Sequence, residues 1–245
     1  MTGSTQLGDD IAIGGNSVYG ASVGILMLDA RFPRIPGDMG NALTWPFPVH
    51  YKVVRNATPD HVVRRNAEGL LDAFVEAGQE LIDMGVSGIT TNCGFLSLFQ
   101  DDLKARLNVP VAASSLMQVP MLENLLPPGK RVGILTVSGP SLTSAHLEAA
   151  GIALDTPIVG TETGEEFTRV LLDNEERLDV GKARADNIAA AQRLVREHSD
   201  IGAIVLECTN MVPYAADISR ATGLPVHSIY SFVLWFQAGL VPRVF

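Results

Sequence analysis

The chain has 245 residues, 47% of them hydrophobic and 18% charged, and a formal charge of −9 at pH 7. That length supports one large α/β unit or two small ones with ample core. The acidic balance, with only 18 Lys and Arg, argues against nucleic acid or an anionic membrane surface as the main partner and leaves small metabolites. The first residues show no basic stretch followed by an apolar run, and the apolar segment from Ser228 to Val241 is interrupted by polar residues and Gly239. Neither a secretory signal nor a membrane span is therefore expected, and a cytoplasmic location is. The two cysteines, Cys93 and Cys208, lie 115 positions apart with no Cys or His partner at metal-ligand spacing, so neither a disulfide framework nor a metal site is expected.

In chain order, residues 1–16 are rich in Gly, Ser and Asp and read as a flexible N-terminal segment. Val23-Gly24-Ile25-Leu26 begins a buried strand that ends at Asp29, before a long loop from Arg31 to Pro48. Val63, Ala67, Leu70, Leu71, Phe74, Gly78, Leu81 and Ile82 share one face at helical spacing. Val86-Ser87-Gly88-Ile89 is a second strand, leading to Cys93, and Val109-Pro110-Val111 a third. Ser114 to Leu126 bridges to Pro127-Pro128-Gly129, a break. The pattern then returns. Val132-Gly133-Ile134-Leu135 ends near Ser138, Ile188, Ala191 and Val195 mark a helix, Ile201-Gly202-Ala203-Ile204 leads to Cys208, and Leu224-Pro225-Val226 closes the series. The first pair of strands is offset by 109 positions and the later two pairs by 115.

Three matched anchors in one order indicate an internal duplication. Strands alternating with helices imply parallel sheets with right-handed crossovers. The expected fold is α/β, two pseudo-symmetric open parallel-sheet lobes with the active site in the cleft between them, since ligands collect beyond the carboxyl ends of such strands. The first lobe is expected over 17–115 plus 225–245, because the last apolar segment has no later strand to serve and packs back on the first half; the second is expected over 116–224.

Each cysteine follows a strand and precedes a helix, in Thr90-Thr91-Asn92-Cys93-Gly94-Phe95 and in Leu206-Glu207-Cys208-Thr209-Asn210. Backbone N–H groups and the helix dipole there are expected to lower the thiol pKa values. If the halves face each other about a two-fold axis, the sulfurs approach one carbon from opposite sides, as stereoinversion requires: one thiolate removes an α-proton and the other thiol returns one. Backbone N–H groups at Gly94, Phe95 and Thr209, with the side chains of Asn92, Thr209 and Asn210, are candidates to hold a substrate carboxylate, and Ser138 and Ser141 to complete the grip. Asp29, which ends the first strand beside Arg31 and Arg34, and Arg34 are further candidates for substrate binding, an Arg there clamping a second carboxylate, with a surface ion pair as the alternative. Strand alternation is expected to turn Glu207 away from the site; facing Cys208, it would raise that thiol's pKa. Met39, Trp45 and Phe47 read as lid or core, and His227, which aligns with Ala112, as structural. Lys52, Lys104, Lys130 and Lys182 have no pyridoxal context, and no Gly-rich phosphate loop follows a strand, so no cofactor is expected.

With its two halves, the "TNCGF" and "ECTN" seams and the "VGIL" strand openings, the chain resembles the aspartate/glutamate racemase superfamily from Tyr19 onward. The superfamily includes amino-acid and hydantoin racemases, maleate isomerase and arylmalonate decarboxylase. The resemblance implies cofactor-independent proton transfer by Cys93 and Cys208 on a small carboxylate such as an amino acid or a hydantoin, and a homo-oligomer. Gly94 stands where glutamate racemases commonly have Asn, and Asn210 where they have His, which argues against glutamate itself. A maleate-type isomerase or decarboxylase on the same fold, and a noncatalytic two-lobe binding protein with ordinary thiols, are the alternatives. Two-base chemistry requires sulfurs roughly 6 to 9 Å apart around one carbon.

Overall fold

Residues 14–244 are described by the structure, a computed structural model. Most of the expected flexible segment, residues 1–13, lies outside them. Two four-stranded parallel sheets form the frame, one on either side of the cysteine seams. The first has the order β2-β1-β3-β4, with β1 Val23–Leu28, β2 Val49–Val54, β3 Gly88–Thr91 and β4 Val111–Ala112. The second has the order β6-β5-β7-β8, with β5 Arg131–Thr136, β6 Ile158–Gly160, β7 Ile201–Leu206 and β8 Val226–His227. Every residue of β1 is buried, as expected of a strand covered on both faces.

The duplication extends to register. Ile89 and Thr90 of β3 pair with Val111 and Ala112, and Ile204 and Val205 of β7 pair with Val226 and His227, each residue displaced by 115. His227 thus occupies the place of Ala112. Two of the four edge strands, β2 and β6, are not among those expected from the sequence. In β2 most residues are only half-buried and Lys52 interrupts the run, so it lacks a continuous apolar signal.

The single helical face expected over 63–82 is two helices, α1 Pro59–Arg64 and α2 Leu71–Asp83. Between them Asn66 (φ 51°) and Ala67 (φ 53°) take left-handed conformations that no helix continues through. Ala67 still reaches the core, which is why the apolar spacing survives the break. After β3 come a 3-10 turn over Gly94–Phe99 and α3 Gln100–Arg106; after β4, a 3-10 turn over Ser115–Gln118 and α4 Val119–Glu123. The second lobe adds α5 Ser144–Ala149, α6 Phe167–Leu172, α7 Val180–Glu197 and α8 Ala215–Thr222. In α7 the buried face is Ala183, Asn187, Ala190, Ala191 and Leu194, with Ile188 and Val195 at its edges.

The last helix, α9 Ile229–Leu240, crosses back to the first lobe. Ile229, Phe232 and Val233 join Val23, Ile25 and Met27 of β1 in a cluster that also takes Met39 and Trp45. Trp45 stacks between Phe47 and Tyr230 at 5.9 and 5.7 Å. Because β8 remains hydrogen-bonded to β7, the chain leaves the second lobe after His227, slightly later than the expected boundary at 225. Among the described residues no helix is long and apolar enough to cross a membrane.

Truncating the buried Phe232 should test the seat of α9. Phe232→Ala is expected to cost about 3–5 kcal/mol of unfolding free energy in urea titrations; a loss below about 1 kcal/mol would mean that α9 contributes little to the first lobe.

Candidate active site

The site is assembled where β3 and β7 end. Parallel strands leave unpaired backbone groups at their carboxyl ends, and buried side chains satisfy them here. Thr91 Oγ1 donates to the Ala113 carbonyl at 2.7 Å, and the Asn92 amide oxygen accepts the Leu28 N–H at 2.7 Å. Across the lobes, Thr209 Oγ1 donates to the Asn92 carbonyl at 2.6 Å, and Ser115 Oγ donates to the carbonyl of Leu206 at 2.7 Å. Cys93 then caps one 3-10 turn and Cys208 caps the equivalent turn over Thr209–Tyr214. Both cysteines are free and buried, and both line one cavity of about 30 Å³.

That cavity is chiefly apolar, walled by Leu28, Phe32, Val63, Phe95, Val137 and Leu171 among others. Asn92, Gly94, Glu207, Thr209 and Asn210 supply its polar lining, and among the described residues no Lys, Arg or His lines it. Glu207 faces inward, contrary to the expectation from strand alternation, because β7 ends at Leu206 and the pleat no longer dictates direction. Its Oε2 accepts a 2.7 Å hydrogen bond from Thr136 Oγ1, whereas Oε1 is buried without a hydrogen-bond partner among the described residues. Gly94 is required by this arrangement: a methyl group on its Cα would overlap both Oε1 and the backbone carbonyl of Glu207.

Burial raises the Glu207 carboxyl pKa to about 8, against the opposing pull of the Thr136 hydroxyl and the Val137 N–H. Both thiols are pushed up as well, first by burial and then by Glu207. The backbone N–H groups of Phe95 and Leu96 do address Cys93, and that of Asn210 addresses Cys208, but their effect is the smaller one. The lowered thiol pKa values expected from the helix starts are therefore overturned: desolvation outweighs the dipoles. The cysteines also differ from each other. Arg34 favours the thiolate of Cys93, while Asp38 disfavours that of Cys208, whose Sγ donates to Asn210 Oδ1 at 3.6 Å.

Arg34 lies beside the cavity, not in its wall. One guanidinium nitrogen pairs with Asp38 at 2.9 Å, the other is buried without a partner among the described residues, and the group sits 4.7 Å from the Phe32 ring centroid. Asp38 in turn accepts from Asn210 Nδ2, so the loop of the first lobe is held to the Cys208 seam. Asp38 escaped the sequence reading because nothing in its spacing marks it. Asp29, one residue beyond Leu28, is exposed on the opposite side, accepting the Asn56 N–H at 3.3 Å in a groove at the edge of β2. Ser138 is likewise one residue beyond the lining Val137; it pairs with Ser141 at 2.8 Å, and neither serine lines the cavity.

The family model described as Asp/Glu/Hydantoin racemase matches residues 74–232. The chain belongs to that family. Among its relatives, a dimethylsulfoniopropionate lyase from Durusdinium sp. clade D is 31% identical over 229 residues, covering 90% of this chain and 75% of that protein. Dimethylsulfoniopropionate lyase 7 of Emiliania huxleyi (strain CCMP1516) is 29% identical, with 90% and 67% covered. Among solved structures, the allantoin racemase of Klebsiella pneumoniae superposes with a TM-score of 0.62 at 18% identity, over 89% of this chain and 87% of that one. An arylmalonate decarboxylase gives 0.55 at 14% identity, over 89% and 92%. These likenesses show the two-lobed fold, and the family is that of the racemase superfamily of enzymes.

Two measurements test this racemase-family site. Gly94→Ala should lower stability by roughly 1–3 kcal/mol through overpacking against Glu207, read as a fall in thermal midpoint; an unchanged midpoint would mean the contact relaxes freely. Alkylation of the unliganded protein by iodoacetamide should remain slow at pH 8.5, where an ordinary thiol is about half ionised. Rapid labelling of both cysteines there would contradict their raised pKa values.

Proposed function

We propose that the protein is a lyase acting on a β-sulfonio carboxylate of the dimethylsulfoniopropionate type. The carrying observation is the cavity: two thiols open into a chiefly apolar space whose polar lining is Asn92, Gly94, Glu207, Thr209 and Asn210 and which, among the described residues, no basic side chain lines. An amino acid would bring an ammonium with three N–H donors to satisfy, whereas a methylated sulfur cation has none and tolerates hydrocarbon walls. The likeness to the lyases of Durusdinium and Emiliania huxleyi supports the same reading.

The chemistry follows from the asymmetry of the cysteines. Cys93 has two backbone N–H groups and Arg34 to favour its thiolate, so it is the base that removes the proton α to the carboxylate. The C–H electron pair forms the double bond, the bond from the β-carbon to sulfur breaks, and its electrons leave on neutral dimethyl sulfide, giving acrylate. The N–H groups at the two seams oppose the charge that gathers on the carboxylate during proton removal. Cys208, a hydrogen-bond donor to Asn210, stays protonated.

A second reading is racemisation or isomerisation. The observation in its favour is the second cysteine in an equivalent position, which an elimination with one base does not require. Incubation with dimethylsulfoniopropionate separates the two: dimethyl sulfide and acrylate are expected in equal amounts. Cys93→Ala should slow their release by roughly 100- to 10,000-fold, and Cys208→Ala by much less. Absence of sulfide from wild type, together with α-proton exchange in deuterated water on amino acids or hydantoins that both variants abolish, would replace the lyase by a racemase.

A further inference from the structure

We propose that Glu207 is the cation-recognition group of this site, its free carboxylate oxygen Oε1 receiving the methylated onium end of a zwitterionic carboxylate. The inference rests on the lyase reading for the substrate's shape but stands on its own geometry. Glu207 is fully buried and lines the cavity that both cysteines share. Thr136 Oγ1 donates to Oε2 and the Val137 N–H also favours the ionised form, whereas Oε1 has no hydrogen-bond partner among the described residues. A buried carboxylate left half-satisfied is costly, so such a group is retained where a ligand completes it. The absence of Lys, Arg and His from the cavity lining among the described residues leaves the positive charge to the ligand. An onium without N–H groups suits Oε1, because the contact is electrostatic and most of the remaining wall is hydrocarbon.

The placement is guarded by Gly94. Any side chain there would displace the Glu207 carboxyl group, so the glycine next to one cysteine keeps room for the acid next to the other. The titratable and charged groups around Glu207 are Cys93 and Cys208, with Arg34 acting on the first thiol and Asp38 on the second. Arg34 is already paired with Asp38 and does not line the cavity.

A proton balance follows. In the empty site Glu207 is mostly protonated below about pH 8. The onium pairs with the ionised form, so binding drives one proton from Glu207 to solvent, and the cavity exchanges a neutral acid for an ion pair. Affinity for the onium should therefore fall about tenfold per unit as pH drops below that midpoint, and level off above it. The charge that Glu207 gains on binding is matched by the onium, so the ion pair adds no net negative charge beside the two thiols.

The probe is 3-(trimethylammonio)propionate, whose trimethylamine leaves poorly, with acrylate as the control lacking a cation and β-alanine as the primary-ammonium control. Calorimetry at pH 7 in buffers of different ionisation enthalpy should show release of about one proton per trimethylammonio ligand and none with acrylate. Glu207→Gln should weaken the trimethylammonio ligand roughly 10- to 100-fold while leaving acrylate affinity unchanged. Thr136→Val, which removes the hydrogen bond favouring ionisation, should shift the pH midpoint of binding upward and carries the test if Glu207→Gln does not fold. Equal binding by Glu207→Gln, binding without proton release, preference for β-alanine, or no binding of the trimethylammonio probe by wild type would each overturn the proposal. Sulfide release assayed on the same samples keeps the two readings apart. Proton-coupled onium binding without sulfide sinks only the lyase, and sulfide release with Glu207-independent onium binding sinks only the role given to Glu207.

Discussion

The hydrogen bond from the Thr209 hydroxyl to the carbonyl of Asn92 joins the end of one sheet to the end of the other, and the site exists because of it. Two parallel strands that stop in the middle of a protein leave carbonyls pointing into a dry interior, where an unmet acceptor costs about 1–3 kcal/mol. Here the partner comes from the opposite lobe. Ser115 reaches Leu206 in the same way, and Ser97 donates to the His146 carbonyl at 3.2 Å. Each lobe thus finishes the backbone of the other, and the cysteines beside those strand ends are carried into a common space. Parting the lobes would expose apolar walls and several orphaned carbonyls together, so the closed arrangement is held by cooperating small contacts.

The electrostatic state of the closed site follows from its dryness. Three ionisable acids, two thiols and a carboxyl group, share a space that water hardly enters, and each is more easily neutral than charged. Fixed backbone N–H groups and the Arg34 field act in the other direction without prevailing. The site is in this sense waiting for charge, and reactivity is tied to occupancy: thiols that remain protonated in the empty protein are shielded from solvent oxidants and electrophiles that attack thiolates.

The duplicated halves and both cysteines were legible because β1, β3, β5 and β7 are inner strands, buried on two faces, whose continuous apolar runs repeat at matching offsets. β2 was not, since Lys52 and its half-buried neighbours break the apolar run, nor was β6, which is only three residues long. The supposed long helix failed at Asn66 and Ala67, where a turn preserves the spacing of buried residues without preserving the helix. Around the site the differences are of a single residue: Asp29 and Ser138 are the polar residues that end the strands, whereas Leu28 and Val137, one position earlier, line the cavity. Glu207 differs for the converse reason: it lies one residue past the end of β7, where strand alternation no longer sets the side-chain direction. Asp38 and Arg34 meet Asn210 only through a loop that the sequence pattern does not shape.

The return of α9 to the first lobe has a consequence for how the protein is made. Val23, Ile25 and Met27 leave the ribosome some two hundred residues before the side chains that cover them, Ile229, Phe232 and Val233. During translation the first lobe must therefore wait with one hydrophobic face bare while the second lobe is threaded out and folded. A nascent chain in that condition is a natural client for chaperones and is open to exchange of α9 with a neighbouring copy on a polysome. The second lobe, whose sheet is continuous from β5 to β8, is free to complete its fold before the first, although most of it is made later.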